Sequence, residues 1–137
     1  DPGGAEGVNM GTRFCATKEA PIHENIKQAL VNASERETNL IFRTLRNTGR
    51  VLKNSVSDEV IAMENRPGGV EFKEIHHLVA GARGRAALDS GEVNDGLVWA
   101  GQVVGLMNDI PSCAELIERM VNDCREALQR RLGAFAD

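Results

Sequence analysis

The sequence predicts a mainly α-helical fold with one or two short strands, and three observations carry the prediction. Aromatic residues are scarce, four Phe, one Trp and no Tyr in 137 residues, so a core must be built from Leu, Val, Ile, Ala and Met, which suits helices packed at close range. Apolar residues recur at three- and four-residue intervals through most of the chain, most clearly after Ser112. Strict alternation, the mark of a strand with one apolar face, is confined to Val8 and Met10 between Gly7 and Gly11.

In chain order, Asp1-Pro2-Gly3-Gly4 is polar and breaks structure, so a loop is expected there, and the start suggests a truncation or a junction. The strand at Val8 and Met10 then breaks into Gly11 with the hydroxyl of Thr12 behind it. This is either a plain turn or an anion cradle, in which a glycine lets the backbone approach and successive N–H groups with a hydroxyl bind oxygens. Pro21 suits the first position of a helix whose face is Ile22, Ile26, Ala29, Leu30 and Ala33. Glu37 to Leu45, with Thr38, Leu40, Ile41 and Phe42 close together, reads as a short strand or an extended connector. With Asn47 as cap, Val51, Leu52, Val56, Val60, Ile61 and Met63 predict a helix to about Asn65, stopped by Arg66-Pro67-Gly68-Gly69.

Phe72, Ile75, Leu78 and Val79 predict a short helix ended by Gly81, and Arg83 to Leu88 a second, closed by Ser90-Gly91. With Asn94 or Asp95 as cap, the Gly96, Gly101 and Gly105 segment is either a tightly packed helix or backbone that approaches a ligand. Ser112 with Glu115 is a capping box for a helix to about Arg131, whose stripe runs through Leu116, Ile117, Met120, Val121, Cys124, Ala127, Leu128 and Leu132.

A net charge of −4 and a pI near 5.4 argue against nucleic acid or an anionic membrane as partner. Arg46 and Arg50, four apart, could share a helix side and meet an anion, or form a solvated face balanced by Glu59 and Glu64. Cys15, Cys113 and Cys124 make no disulfide or metal pattern. Cys113 and Cys124 are eleven residues apart on one helix, about 16 Å, and all three read as small buried hydrophobes in a reducing compartment. No apolar run is long enough to span a bilayer, and a soluble, cytoplasmic protein is expected. Adjacent His76 and His77 point about 100° apart on a helix, a surface pair rather than a metal site. His23-Glu24 lacks the second histidine of a zinc motif, Lys27 standing in its place.

Three separated blocks agree in order and spacing with a known family. They are Ala5-Glu6-Gly7-Val8-Asn9-Met10-Gly11-Thr12-Arg13-Phe14 with Ala16-Thr17-Lys18-Glu19-Ala20-Pro21-Ile22-His23; Gly96-Leu97-Val98-Trp99-Ala100-Gly101-Gln102-Val103-Val104-Gly105-Leu106; and Asp109-Ile110-Pro111-Ser112. From about Gly4 to Arg131 the chain resembles the C-terminal part of the nitronate monooxygenases, formerly 2-nitropropane dioxygenases, which are similar to FMN-dependent enoyl-acyl-carrier-protein reductases.

The resemblance implies a C-terminal fragment of an FMN-binding TIM barrel with its helical substrate domain. Residues 1–34 would be the last strand, phosphate turn and following helix, 35–95 the helical substrate-domain region, and 96–137 the mouth segment and C-terminal helix. Asn9, Met10, Gly11 and Thr12 would contact the FMN phosphate. Gln102, a polar group in an apolar run, would meet flavin or substrate, or else a backbone carbonyl. The family's general base is a histidine after paired glycines; no Gly-Gly-His occurs, so no catalytic residue is expected in this chain.

The implied reaction oxidises an alkyl nitronate or nitroalkane to a carbonyl compound and nitrite with O2, the fragment alone being silent. Two other readings stay open, an enoyl-thioester reductase using a reduced nicotinamide and a non-catalytic helical interaction module. A lone strand leaves its backbone groups unpaired, so a homo-oligomer, or association with a missing N-terminal barrel half, is expected.

Overall fold

The structure, a computed structural model, describes residues 7–133. The expected loop at Asp1–Gly4 lies outside them. Six α-helices are described, α1 (Thr12–Cys15), α2 (Glu24–Asn32), α3 (Ser55–Glu64), α4 (Phe72–Val79), α5 (Gly81–Ser90) and α6 (Cys113–Gly133), with strands β1 (Thr38–Ile41) and β2 (Gly49–Leu52) and a 3-10 helix at Gln102–Leu106. The fold is mostly helical around one small sheet.

Strand β1 forms where a short strand or connector was expected, but β2 is built where a helix was expected. Gly49–Leu52 pairs antiparallel with Thr38–Ile41, Leu40 opposite Arg50 and Asn39 opposite Val51. On the other side of β2, Val51 bridges Trp99, the Leu52 N–H donates to the Val98 carbonyl at 2.8 Å, and the Ala100 N–H to the Arg50 carbonyl at 3.3 Å. Neighbouring side chains on a strand point to opposite faces, so Val51 enters one core and Leu52 another. The first core joins Ile41, Val51, Val56, Val60, Ile75, Leu78 and Leu97. The second joins Ala16, Ile26, Leu30, Leu52, Val98, Ala100, Val104 and Met107. Leu97 and Val98 divide between the two cores in the same way.

The helix predicted from Asn47 therefore begins only at Ser55. Asn54 is its cap, with its side chain accepting from the Ser57 N–H at 2.8 Å and the Ser57 hydroxyl accepting from the Asn54 N–H at 2.9 Å. The Asn54 amide also donates to the Val93 and Gly96 carbonyls, which ties α3 to the segment leading into residues 98–100. Arg46 lies in the turn before β2 with φ 55° and Arg50 lies on β2, so the two do not share a helix side.

Several further expectations shift. Pro21 does not open α2; His23 caps it, its Nδ1 accepting from the Asn25 N–H at 3.1 Å. The segment from Gly96 is not one helix. Gly96 packs against α5 so closely that a Cβ there would lie 2.8 Å from the Arg83 carbonyl oxygen, and a 3-10 helix forms only from Gln102. Asn94 does not cap that segment; its side-chain oxygen accepts from the Ser55 N–H at the start of α3. Gly91, with φ 82°, ends α5 as expected. In α6 the Ser112–Glu115 capping box is formed, but only Leu116 of its apolar stripe is buried; Ile117, Val121, Leu128 and Leu132 are exposed. Cys124 is exposed and Cys15 and Cys113 half-buried, not the buried hydrophobes expected. Among the described residues no helix is long and apolar enough to cross a membrane.

Candidate functional site

The strand expected at Val8 and Met10 is not formed. Gly7–Met10 is irregular, Val8 is 79% exposed, and no described strand lies beside it to take its backbone bonds. Asn9, Met10 and Gly11 are exposed. Gly11 precedes α1, and its carbonyl accepts from the Phe14 and Cys15 N–H groups.

Thr12 connects this turn to the far end of the sequence, because its Oγ1 accepts from the Gly101 N–H at 3.0 Å. A hydroxyl has one donor and two acceptor positions, so this bond leaves the Thr12 hydrogen free to donate. Gln102 follows immediately, exposed at the start of the 3-10 helix. Of the five candidate residues, Thr12 and Gln102 are thus brought to one place, beside Gly11, with Asn9 and Met10 on the chain that enters it.

A set of polar contacts fixes this junction. Arg13 donates to the Asp109 carboxylate at 2.6 Å and to the Asp109 carbonyl at 3.0 Å, and Arg119 of α6 donates to the same carboxylate. The Arg119 hydrogen bond chiefly, with Arg13 adding, holds the Asp109 carboxyl below the ordinary range, partly opposed by burial. The Lys18 N–H donates to the Pro111 carbonyl, and the Glu19 carboxylate accepts from the Cys113 N–H at 2.9 and 3.1 Å, which lowers the Glu19 pKa. Glu115, accepting from the Ser112 N–H and hydroxyl and from Lys18, is pulled down to about 2. Buried Lys27 donates from Nζ to the Lys18 carbonyl at 3.1 Å, joining α2 to the same turn. Nothing in the local sequence marks the Arg13–Asp109–Arg119 cluster, since its members lie 96 and 10 positions apart.

Trp99 is a second feature missed as a site residue. It is 58% exposed two residues before Gly101 and lies so close to Gly49 that a Cβ there would sit 2.5 Å from its ring. His76 and His77 are exposed on α4, as a surface pair should be, and no cluster of metal-ligating side chains occurs among the described residues.

A sequence model of the family described as nitronate monooxygenase matches residues 3–123. The chain belongs to the nitronate monooxygenase family. The nitronate monooxygenase of Paraburkholderia phytofirmans is 29% identical over 134 residues, 98% of this chain and 36% of that protein. A hydroxy-methyl-oxo-octahydro-indene-carboxyl-CoA dehydrogenase of Rhodococcus jostii is 25% identical over 166 residues, 96% of this chain and 47% of that protein. Among solved structures, FabK from Thermotoga maritima superposes with a TM-score of 0.84 at 29% identity, over 95% of this chain and 40% of that one. The chain thus spans less than half the length of the family relatives it matches.

Proposed function

We propose that this chain is the phosphate-anchoring and substrate-facing portion of an FMN-dependent barrel enzyme that oxidises alkyl nitronates to carbonyl compounds and nitrite with O2. The observation that carries the reading is the contact of Thr12 with Gly101 in a chain of this family. The residues fit a phosphate on two counts. Among the described residues the Thr12 hydroxyl hydrogen has no acceptor and no atom lies within 4 Å of where a Cβ on Gly11 would point, so the backbone there is open to a ligand. Asn9, Met10, Gly11 and Thr12 would hold the phosphate, and Gln102 would face the flavin or the substrate. When bound, the flavin supplies an electron acceptor for the nitronate. The protein's part here is to orient: Arg13 and Asp109 brace the turn, and Trp99 offers an apolar wall beside Gly101. No residue of this chain is assigned to proton abstraction.

The test is nitrite release from propane 2-nitronate, with oxygen consumed, by a protein in which this chain completes a flavin-loaded barrel. The 137-residue chain by itself is expected to release none above the free-FMN control, and measurable release would contradict its assignment as a non-catalytic portion.

A second reading is favoured by the likeness to FabK and to a CoA-thioester dehydrogenase: reduction of an enoyl thioester by a reduced nicotinamide. NADH or NADPH oxidation that depends on an enoyl thioester, without nitrite release from a nitronate, would select it. Under either reading the exposed apolar stripe of α6 would be covered by the barrel part of the parent or by a second copy of this chain.

A further inference from the structure

The cleft between the β1–β2 hairpin and α3 has a volume of about 660 Å³, within the roughly 300–1,000 Å³ range of small-molecule sites. Its wall brings together Arg43, Arg50, Thr38 and Asn65 with the apolar Leu40 and Ile61. Leu40 and Arg50 stand directly opposite each other on the two strands, so their side chains share a face.

The charges in this cleft are unbalanced. Arg50 donates from Nη1 to the Thr38 hydroxyl at 2.8 Å, a neutral acceptor, which fixes the guanidinium and leaves its remaining N–H groups available. Neither Arg50 nor Arg43 belongs to any ion pair among the described residues. The carboxylate in the wall, Glu64, is already engaged. It is 6% exposed and accepts from the Phe42 N–H at 2.9 Å, the Thr44 N–H at 3.1 Å and the Thr44 hydroxyl at 2.9 Å. Three donors satisfy its oxygens, and with two guanidinium groups against this one carboxylate the cleft presents net positive charge next to an apolar strip.

We propose that this cleft binds the oxyanion group, phosphate or carboxylate, of a small amphipathic ligand, with Arg43 and Arg50 on the anion and Leu40 and Ile61 against its hydrocarbon part. Guanidinium matches both oxyanions through paired N–H donors. A phosphate monoester and a carboxylate present the same chemistry here, and the strip of Leu40 and Ile61 asks for more than a free inorganic ion. The assignment does not rest on the flavin reading, and its test needs no flavin.

Amide chemical shifts of the 137-residue chain are followed while hexyl phosphate, hexanoate, orthophosphate and hexanol are titrated separately. Saturable shifts confined to residues 38–65 are expected with hexyl phosphate or hexanoate, weaker ones with orthophosphate and none with hexanol. The tighter of the first two identifies the oxyanion. Arg43→Gln, which removes no hydrogen bond among the described residues, should weaken binding about tenfold and leave the spectrum otherwise unchanged; Arg50→Gln should weaken it as well. Affinity should fall as salt is raised. No saturable shift in the hairpin, equal binding of hexanol, or binding undiminished in Arg43→Gln would overturn the proposal.

Discussion

Glu64 sets the shape of the turn after β1. Its buried carboxylate replaces the partners that the Phe42 and Thr44 N–H groups would otherwise lack, and it holds Phe42 in the left-handed region at φ 61°, where a bulky side chain is unfavourable by itself. Replacing it with Ala leaves those donors without an acceptor inside a part-buried turn. Glu64→Ala should therefore lower stability by about 2–3 kcal/mol, and Glu64→Gln, which keeps one oxygen, by about 1 kcal/mol. Urea unfolding followed by circular dichroism measures both, and a loss of only a few tenths for Glu64→Ala would contradict the role given to it. The sequence offered no sign of this, because Glu64 sits 20 and 22 positions from its partners and reads locally as one more surface carboxylate. Thr12 stands out in the sequence as a hydroxyl directly after a glycine, whereas its bond to Gly101, 89 positions away, leaves no local mark.

At the scale of elements, the sequence misled where two periodicities coincide. Val51, Leu52, Val56, Val60 and Met63 fit a helical stripe, yet the first two lie in a strand. Adjacent apolar residues such as Val51 and Leu52 also suit a strand buried on both faces, and the deciding neighbour, residues 98–100 on the open edge of β2, is remote in sequence. The alternation at Val8 and Met10 erred the other way, since period two predicts a strand only where another strand can pair with it. Helices α4, α5 and α6 were legible because caps and glycines mark their ends locally. The joint between residues 12–19 and 109–119 depends on carboxylates whose pKa values are lowered, Glu115 to about 2 from 4.5. A lowered folded-state pKa contributes stability that is present above the unfolded value and lost as pH falls through the folded one. The joint should be intact above pH 4.5 and loosen progressively toward pH 2. Amide hydrogen exchange of Cys113, Leu116 and Gly101 across that range checks it; protection unchanged down to pH 2 would show that the joint holds without these charges.

For the whole molecule, the two cores share β2 and residues 97–98, so the hairpin region and the Thr12 junction are joined through one central strand. This places the turn at Gly11 and Thr12 on a supported frame even though Gly7–Met10 has no strand partner among the described residues. Recognition of a phosphate at this junction can be probed with the pair of flavins that differ only in that group. FMN and riboflavin are each titrated into the chain, with binding followed by flavin fluorescence. FMN should bind at least about tenfold more tightly than riboflavin, a factor that corresponds to about 1.4 kcal/mol for the phosphate contacts, and Thr12→Val should abolish the difference while Thr12→Ser keeps it. Equal affinity for the two flavins, or a preference for FMN that survives Thr12→Val unchanged, would contradict it.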